Sequence, residues 1–274
     1  MFNDFNQLVE PYWDYSKEHG PHQWSKYWNF TKRQSPINLN SKLIQYDSTL
    51  KTLHFDKKKI NLEVKNIGKN ISFSAVNDAE IIFSGGSLKN RYAFREMHFH
   101  WGEVLHGKCC HGCEHTIDGN SYSAEMHIVH WNVDLYKTEL EALKSPNGVA
   151  VLGLFIDAKA INKQNESFEL VINMFNKVPY MNYKTKLEVS PYFLVPICTE
   201  NFYTYPGSLT TPPLTENVTW ILLAEPIKIS IDQLKRMTTC TSDCGYITNN
   251  YRPIQPLNDR VVRSSFCLHP ESRN

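Results

Sequence analysis

The chain has little of anything that marks a specialised class. Acidic and basic residues nearly cancel, 28 against 29, which removes the electrostatic footprint that a nucleic-acid partner would need. The one basic cluster, Lys57-Lys58-Lys59, reads as a solvated turn or edge. No apolar run approaches the about 18 residues of a membrane-spanning helix, and the opening stretch, MFNDFNQLVEPYWDY, has neither the basic region nor the continuous apolar core of a secretory signal. Internal repeats, low-complexity tracts and Gly/Ser linkers are missing too. The seven cysteines are odd in number and unevenly spaced, unlike a disulfide framework. These absences predict a single domain over residues 1–274, cytoplasmic and with reduced thiols, with an irregular, aromatic-rich segment 1–35 and a short tail 267–274. Asn-x-Ser/Thr tripeptides at Asn29, Asn70, Asn165 and Asn217 are common by chance in an Asn-rich chain and carry little weight.

What is present is mostly strand. Leu62-x-Val64 and Ile71-x-Phe73-x-Ala75 alternate as half-buried strands do, and the turn residues from Asn66 to Asn70 predict a hairpin. Val149 to Ile156, VAVLGLFI, is a short continuous apolar run, expected as a central strand covered on both faces. Helices are few. Phe168, Val171, Ile172, Phe175 and Val178 recur at helical spacing before Pro179, and Ser230-Ile231-Asp232-Gln233 carries a capping-box pattern. Strands follow strands without regular crossover helices, so the expected class is α+β: one large, twisted, mostly antiparallel sheet with a few short surface helices.

The chemistry concentrates in EMHFHW. Side chains alternate across a strand, so Glu96, His98 and His100 project to one face while Met97, Phe99 and Trp101 project to the other. A second strand-like segment, AEMHIVHWN from Ala124, places Glu125, His127 and Val129 on one face and His130 on the other. If the two strands are neighbours, His98, His100 and His127 converge. Three neutral imidazoles with a fourth coordination position open are the donor set of a catalytic zinc site; copper or iron would more often bring a thioether or a carboxylate. Glu96 and Glu125 stand where acceptors for the outer ring N–H groups belong. His130 reads as a core histidine satisfied by one hydrogen bond.

At these residues the chain resembles the α-class carbonic anhydrases, over nearly its whole length. The blocks GPHQW from Gly20, RQSPINL from Arg33, HFHWG from His98, EHT from Glu114, AEMHIVHWN, NGVAVLG from Asn147, YPGSLTTPPL from Tyr205 and NYRPIQPLN from Asn250 match in order and kind. The resemblance implies that His98, His100 and His127 bind Zn2+, with Glu125 supporting His127 and Asn250 supporting His100. It implies that Thr210 and Glu114 form a gate in which the threonine hydroxyl donates to the glutamate and orients zinc-bound hydroxide. Thr211 matches a neighbouring polar wall residue, and Val129, Val151, Leu209, Val218 and Trp220 match an apolar wall for carbon dioxide. The implied activity is reversible hydration of carbon dioxide to bicarbonate and a proton, with hydrolysis of activated esters as a side reaction, by a monomer. The alternative is a catalytically weak binding module on the same fold.

Three departures from the family stand out. Lys69 occupies the position of the proton-shuttling histidine of the most active members, and an amine with an ordinary pKa of about 10.4 is a poor acceptor at neutral pH. Export of the proton is therefore expected to limit turnover, with Tyr15, His19 and His22 as stand-in groups. Glu96 replaces the usual glutamine, which is expected to make His98 a stronger donor and to raise the pKa of water on the metal. The loop EVLHGKCCHGC, Glu103 to Cys113, is longer than usual and reads as a surface loop with free thiols; a softer metal site or a redox pair among Cys109, Cys110 and Cys113 with His106 and His111 is the competing reading. The cysteines of a disulfide common in secreted members are missing, Leu214 standing at one position.

Overall fold

The structure is a computed structural model describing residues 11–76, 80–105, 108–109, 111–159, 163–243 and 245–268, with 105, 108 and 109 described through the backbone. His106 and Cys110, the side chain of Cys109, residues 1–10 and most of the tail lie outside the described residues.

Among the described residues, twelve strands join one sheet. In chain order they are β1 (Gln45–Tyr46), β2 (Lys51–Phe55), β3 (Ile60–Asn66), β4 (Ile71–Ala75), β5 (Ile82–Gly86), β6 (Tyr92–Trp101), β7 (Ala124–Asn132), β8 (Val149–Lys159), β9 (Lys184–Val189), β10 (Phe202–Gly207), β11 (Val218–Ser230) and β12 (Arg263–Ser264). Across the sheet the order is β9, β3, β4, β6, β7, β8, β11, β10, β12, β1, with β2 on β5 and β5 on the same edge of β6 as β4. Every pairing is antiparallel except β8 with β11 and β12 with β1. The expected hairpin is β3–β4, closing at Asn66 opposite Ile71. The apolar run is the core of β8, buried from Val149 to Ile156 and paired on both sides.

Both expected helices form. Helix α2 (Glu166–Lys177) starts where Asn165 Oδ1 accepts the Phe168 N–H at 3.0 Å, and it buries Phe168, Val171, Ile172 and Phe175. These rings meet Phe73 and Phe99 at centroid separations of 5.8–6.5 Å, and each buried aromatic contributes about 1.5–3 kcal/mol. Helix α3 (Ile231–Met237) opens on the reciprocal Ser230–Gln233 capping box. The single turn α1 (Glu139–Ala142), capped by Thr138, is too short to leave a periodic signal in the sequence.

The sheet carries a different apolar cluster on each face. Ala150, Leu152, Leu154 and Ile156 of β8 join the helix-covered cluster, while Val149, Val151 and Phe155 join a second one with Val129, Tyr205, Val218 and Trp220. His130 lies on the helix side, fully buried, its Nδ1 3.2 Å from the Ala150 carbonyl and its Nε2 2.9 Å from the Tyr192 hydroxyl. It is the core histidine the alternation implied.

One irregularity matters for the site. On β6, Glu96 faces Val129 but Phe94 faces His130, so Arg95 is an extra residue with no partner on β7. Alternation changes phase there: Tyr92 and Phe94 before it, and Met97, Phe99 and Trp101 after it, all reach the same core.

Candidate metal centre and its cavity

Antiparallel pairing of β6 with β7 sets His98 opposite His127 and His100 opposite Glu125. Ring centroids are 5.0 Å apart for His98 and His100, 5.3 Å for His98 and His127, and 4.6 Å for His100 and His127. One nitrogen of each falls within 4.8 Å of the other two.

The neighbours assign the protons. His100 Nδ1 lies 2.7 Å from the Asn250 carbonyl, which only accepts, so Nδ1 carries hydrogen and Nε2 keeps its lone pair. That Nε2 is buried with no hydrogen-bond partner. His127 donates from Nε2 to Glu125 Oε1 at 2.7 Å, leaving Nδ1 free. Burial, joined by the neighbouring histidine in each case, brings the pKa of His100 down to about 3 and that of His127 to about 4. Neutral imidazoles with free lone pairs are what a divalent metal requires. A buried nitrogen with nothing to bond is costly unless a ligand completes it, so the residues fit a zinc ion.

Asn250 does more than accept from His100. Its Oδ1 takes the Trp101 N–H at 2.7 Å, and its Nδ2 donates to the carbonyls of Phe99 and Lys69 at 3.0 and 3.1 Å. Glu125 accepts the backbone N–H groups of Glu114 and His115 at 2.9 and 2.8 Å besides the two imidazoles. Burial works to raise its pKa, but His115 and His127 outweigh it and hold the carboxyl ionised. Glu114 is pushed up instead, chiefly by burial, with Glu125 adding to the effect; His127, the Thr210 hydroxyl and the Arg252 N–H act the other way. Its Oε1 accepts that N–H at 2.8 Å, while Oε2 is buried without a hydrogen-bond partner, 3.9 Å from His127 Nδ1. Thr210 is therefore near enough to bias Glu114, but the expected hydroxyl–carboxylate bond is not closed.

Glu96 is held differently. Its Oε2 accepts the Ser72 hydroxyl at 2.7 Å, and its Oε1 sits 3.3 Å from Arg95 Nη1 and 3.4 Å from His98 Nδ1. The last contact is not a directed hydrogen bond, since His98 Nδ1 has no hydrogen-bond partner among the described residues. Burial raises the Glu96 pKa, but His98, Arg95 and Ser72 bring it down to about 2.

A cavity of about 310 Å³ opens beside His98 and His127. Val129, Val151, Leu209 and Trp220 give it an apolar wall, and Thr210 and Thr211 are among its polar groups, with Arg95 and Glu96 at one side. A wider groove of about 980 Å³ adjoins it across Arg95 and Glu96 but holds none of the three histidines. Val218 does not line the cavity; it is buried behind the wall, paired with Val149 and Gly207. Lys69 is not among the lining residues either. Its ammonium lies over the Trp13 ring, 3.9 Å from the centroid.

The family model for eukaryotic-type carbonic anhydrase matches residues 19–266. Carbonic anhydrase 7 of Mus musculus is 37% identical over 265 residues, covering 93% of this chain and 97% of the relative. Carbonic anhydrase 3 of Equus caballus is 36% identical over 271 residues, with 93% and 98% covered. Carbonic anhydrase 5A, mitochondrial, of Homo sapiens is 38% identical over 243 residues, with 85% and 77% covered. The chain belongs to the eukaryotic-type carbonic anhydrase family.

In this carbonic anhydrase the ligand shell extends further than the sequence reading reached. His115 Nδ1 is 2.7 Å from Glu125 Oε1, His115 Nε2 is 2.6 Å from the Tyr205 hydroxyl, and that hydroxyl is 2.8 Å from Ser35 Oγ. The ionised Glu125 fixes the direction: His115 Nδ1–H donates to it, so Nε2 accepts from Tyr205. His115, Glu125 and His127 are thus a hydrogen-bonded relay, although their atoms also cluster closely enough for a metal. Partners 90 and 170 residues apart leave no local signal.

Of the three cysteines in the loop, only Cys113 has a described side chain. Cys113 is buried, its thiol donating to the His115 carbonyl at 2.7 Å and accepting the Tyr122 N–H at 3.0 Å. Burial, reinforced by Glu125, pushes its pKa up to about 12. Among the described residues it joins no metal cluster.

Proposed function

We propose that this chain hydrates carbon dioxide reversibly to bicarbonate and a proton, using a zinc ion held by His98 Nε2, His100 Nε2 and His127 Nδ1. The observation that carries the reading is the buried His100 Nε2, unpartnered among the described residues and clustered with His98 and His127, which line an apolar-walled cavity. Zinc supplies there a Lewis acid that activates water near neutral pH, a chemistry for which carbonic anhydrases are the standard example.

The chain's own residues do the rest. Asn250 and Glu125 hold the outer N–H groups and so keep two of the donor nitrogens deprotonated. Glu114, pinned by Arg252 N–H, leaves one oxygen to accept from the Thr210 hydroxyl, which then keeps its lone pairs for a donor in the cavity. Val129, Val151, Leu209 and Trp220 offer a small apolar molecule a preformed wall, so rate comes from proximity and fixed dipoles rather than from binding hydrogen bonds. Lys69, standing where the most active members of the family carry a shuttle histidine, makes proton export the slow step. The thiols of Cys113, Cys198 and Cys240 support a cytoplasmic setting, and we take the chain to be a single-domain monomer.

The test is stopped-flow carbon dioxide hydration paired with zinc content before and after chelation. Activity that follows stoichiometric zinc supports the reading. Stoichiometric zinc with hydration no faster than background overturns it in favour of a binding module.

A further inference from the structure

The Lys69 ammonium is caught between aromatic rings of the N-terminal segment, 3.9 Å from the Trp13 centroid and 5.5 Å from that of Tyr12. Its backbone is tied at the carbonyl, which accepts from Nδ2 of Asn250, the residue that also holds His100. Trp13 is itself braced edge-on by Trp24 and Tyr15, at 5.4 and 5.9 Å between centroids. Asp14 is the charged group that faces the amine, with His19 4.0 Å beyond it and edge-on to Tyr12. An aromatic face attracts an ammonium but not a neutral amine.

We propose that Trp13 is a positioning residue for proton export: its ring holds the protonated arm of Lys69 at the N-terminal segment and so keeps the amine from serving the cavity. This rests on the reading that proton export limits turnover. Burial lowers the Lys69 pKa while Asp14 opposes it. The arm that leaves the ring is the neutral amine; it takes one proton from cavity water, becomes ammonium, returns to the ring and gives that proton to a buffer base. No other bond changes. With Trp13 in place, the charged arm is withdrawn for most of its time.

The test uses the zinc-loaded full chain with Trp13→Leu, Trp13→Phe, and Trp13→Leu in a Lys69→Met background. In weak buffer at pH 8–9.5, Trp13→Leu is expected to raise kcat about threefold while kcat/KM stays as it is; Trp13→Phe keeps most of the restraint, and the Lys69→Met background abolishes the gain. Independently of activity, proton NMR of the metal-free chain should show ring-current-shifted Lys69 Hε signals that move to ordinary positions in Trp13→Leu. A kcat that is unchanged or falls, a gain that survives in Lys69→Met, or Lys69 signals with no ring-current shift overturns the inference. Added imidazole separates the two levels. If wild-type kcat ignores it, the export reading fails and takes this inference with it; if kcat responds but Trp13→Leu does nothing, only the inference fails.

Discussion

Glu125 Oε1 lies 2.7 Å from His127 Nε2, and no backbone carbonyl takes its place. The same oxygen receives His115 Nδ1. In Glu125→Gln one amide oxygen must serve both imidazoles, and the amide N–H₂ faces donors. Zinc affinity is expected to fall about 10–100-fold, read as faster loss of zinc to a competing chelator. Retention equal to wild type would mean that the ligand geometry does not depend on this carboxylate.

Removing zinc leaves His100 Nε2 buried and unpaired. Metal that binds only the folded state stabilises it by about 2.7 kcal/mol at a hundredfold excess over Kd. Calorimetry is therefore expected to show a lower Tm after chelation and recovery on adding one equivalent of zinc. An unchanged Tm would remove the metal from the account of stability.

Lys69→His places a group with an ordinary pKa of about 6.5 where one near 10.4 now stands. The kcat for hydration at pH 7–8 in weak buffer is expected to rise about tenfold. No rise there, with wild type also indifferent to imidazole, would move the slow step elsewhere.

His130 is neutral in the fold because burial brings its pKa down to about 3 against an ordinary value near 6.5. Between those values the unfolded chain binds the extra proton, so stability is full above about 6.5 and is lost as pH falls toward 3. His130→Phe orphans the Tyr192 hydroxyl and is expected to cost about 1–3 kcal/mol at pH 7. At pH 4.5 that penalty should shrink by about 2–3 kcal/mol, at 1.36 kcal/mol per unit. Urea unfolding of both proteins at the two pH values gives the comparison, and an equal penalty at both would refute the assignment.

Cys198 is exposed, whereas Cys113 and Cys240 are buried with thiols pushed up to about 12, chiefly by burial. Alkylation at pH 8 followed by peptide mass spectrometry is expected to label Cys198 within minutes and to spare the other two until urea unfolds the chain. Chelator should not change the pattern. Rapid labelling of Cys113 only after chelation would revive a metal site in its loop.

The three ligands were legible because two-residue alternation is a local property. His-x-His on one strand and Glu-x-His on the next announce a shared face before any pairing is known. The apolar run of β8, the helical spacing of α2 and the capping box of α3 are local for the same reason. The parallel pairing of β8 with β11 was not legible, since it joins segments about 70 residues apart. Nor was the route from Ser35 through Tyr205 and His115 to Glu125, whose links are set by how the sheet brings distant segments together. Val218 and Lys69 show the converse limit: matching a family position does not fix where a side chain ends up, and here one is behind the wall and the other on an aromatic ring.

The unpaired Arg95 on β6 has a consequence of its own. In a regular strand it would share the core with Met97 and Phe99; as the extra residue it borders the cavity together with its neighbour Glu96 and binds Glu139 of α1 at 2.6 Å. Two adjacent charges on one side of a strand are available only where the pleat misses a beat. Were Arg95 paired regularly, the strand would face a choice, either Tyr92 and Phe94 turned out of the core or His98 and His100 turned into it. Because Arg95 bulges instead, one strand serves the core at both ends and still turns its two histidines toward the metal site.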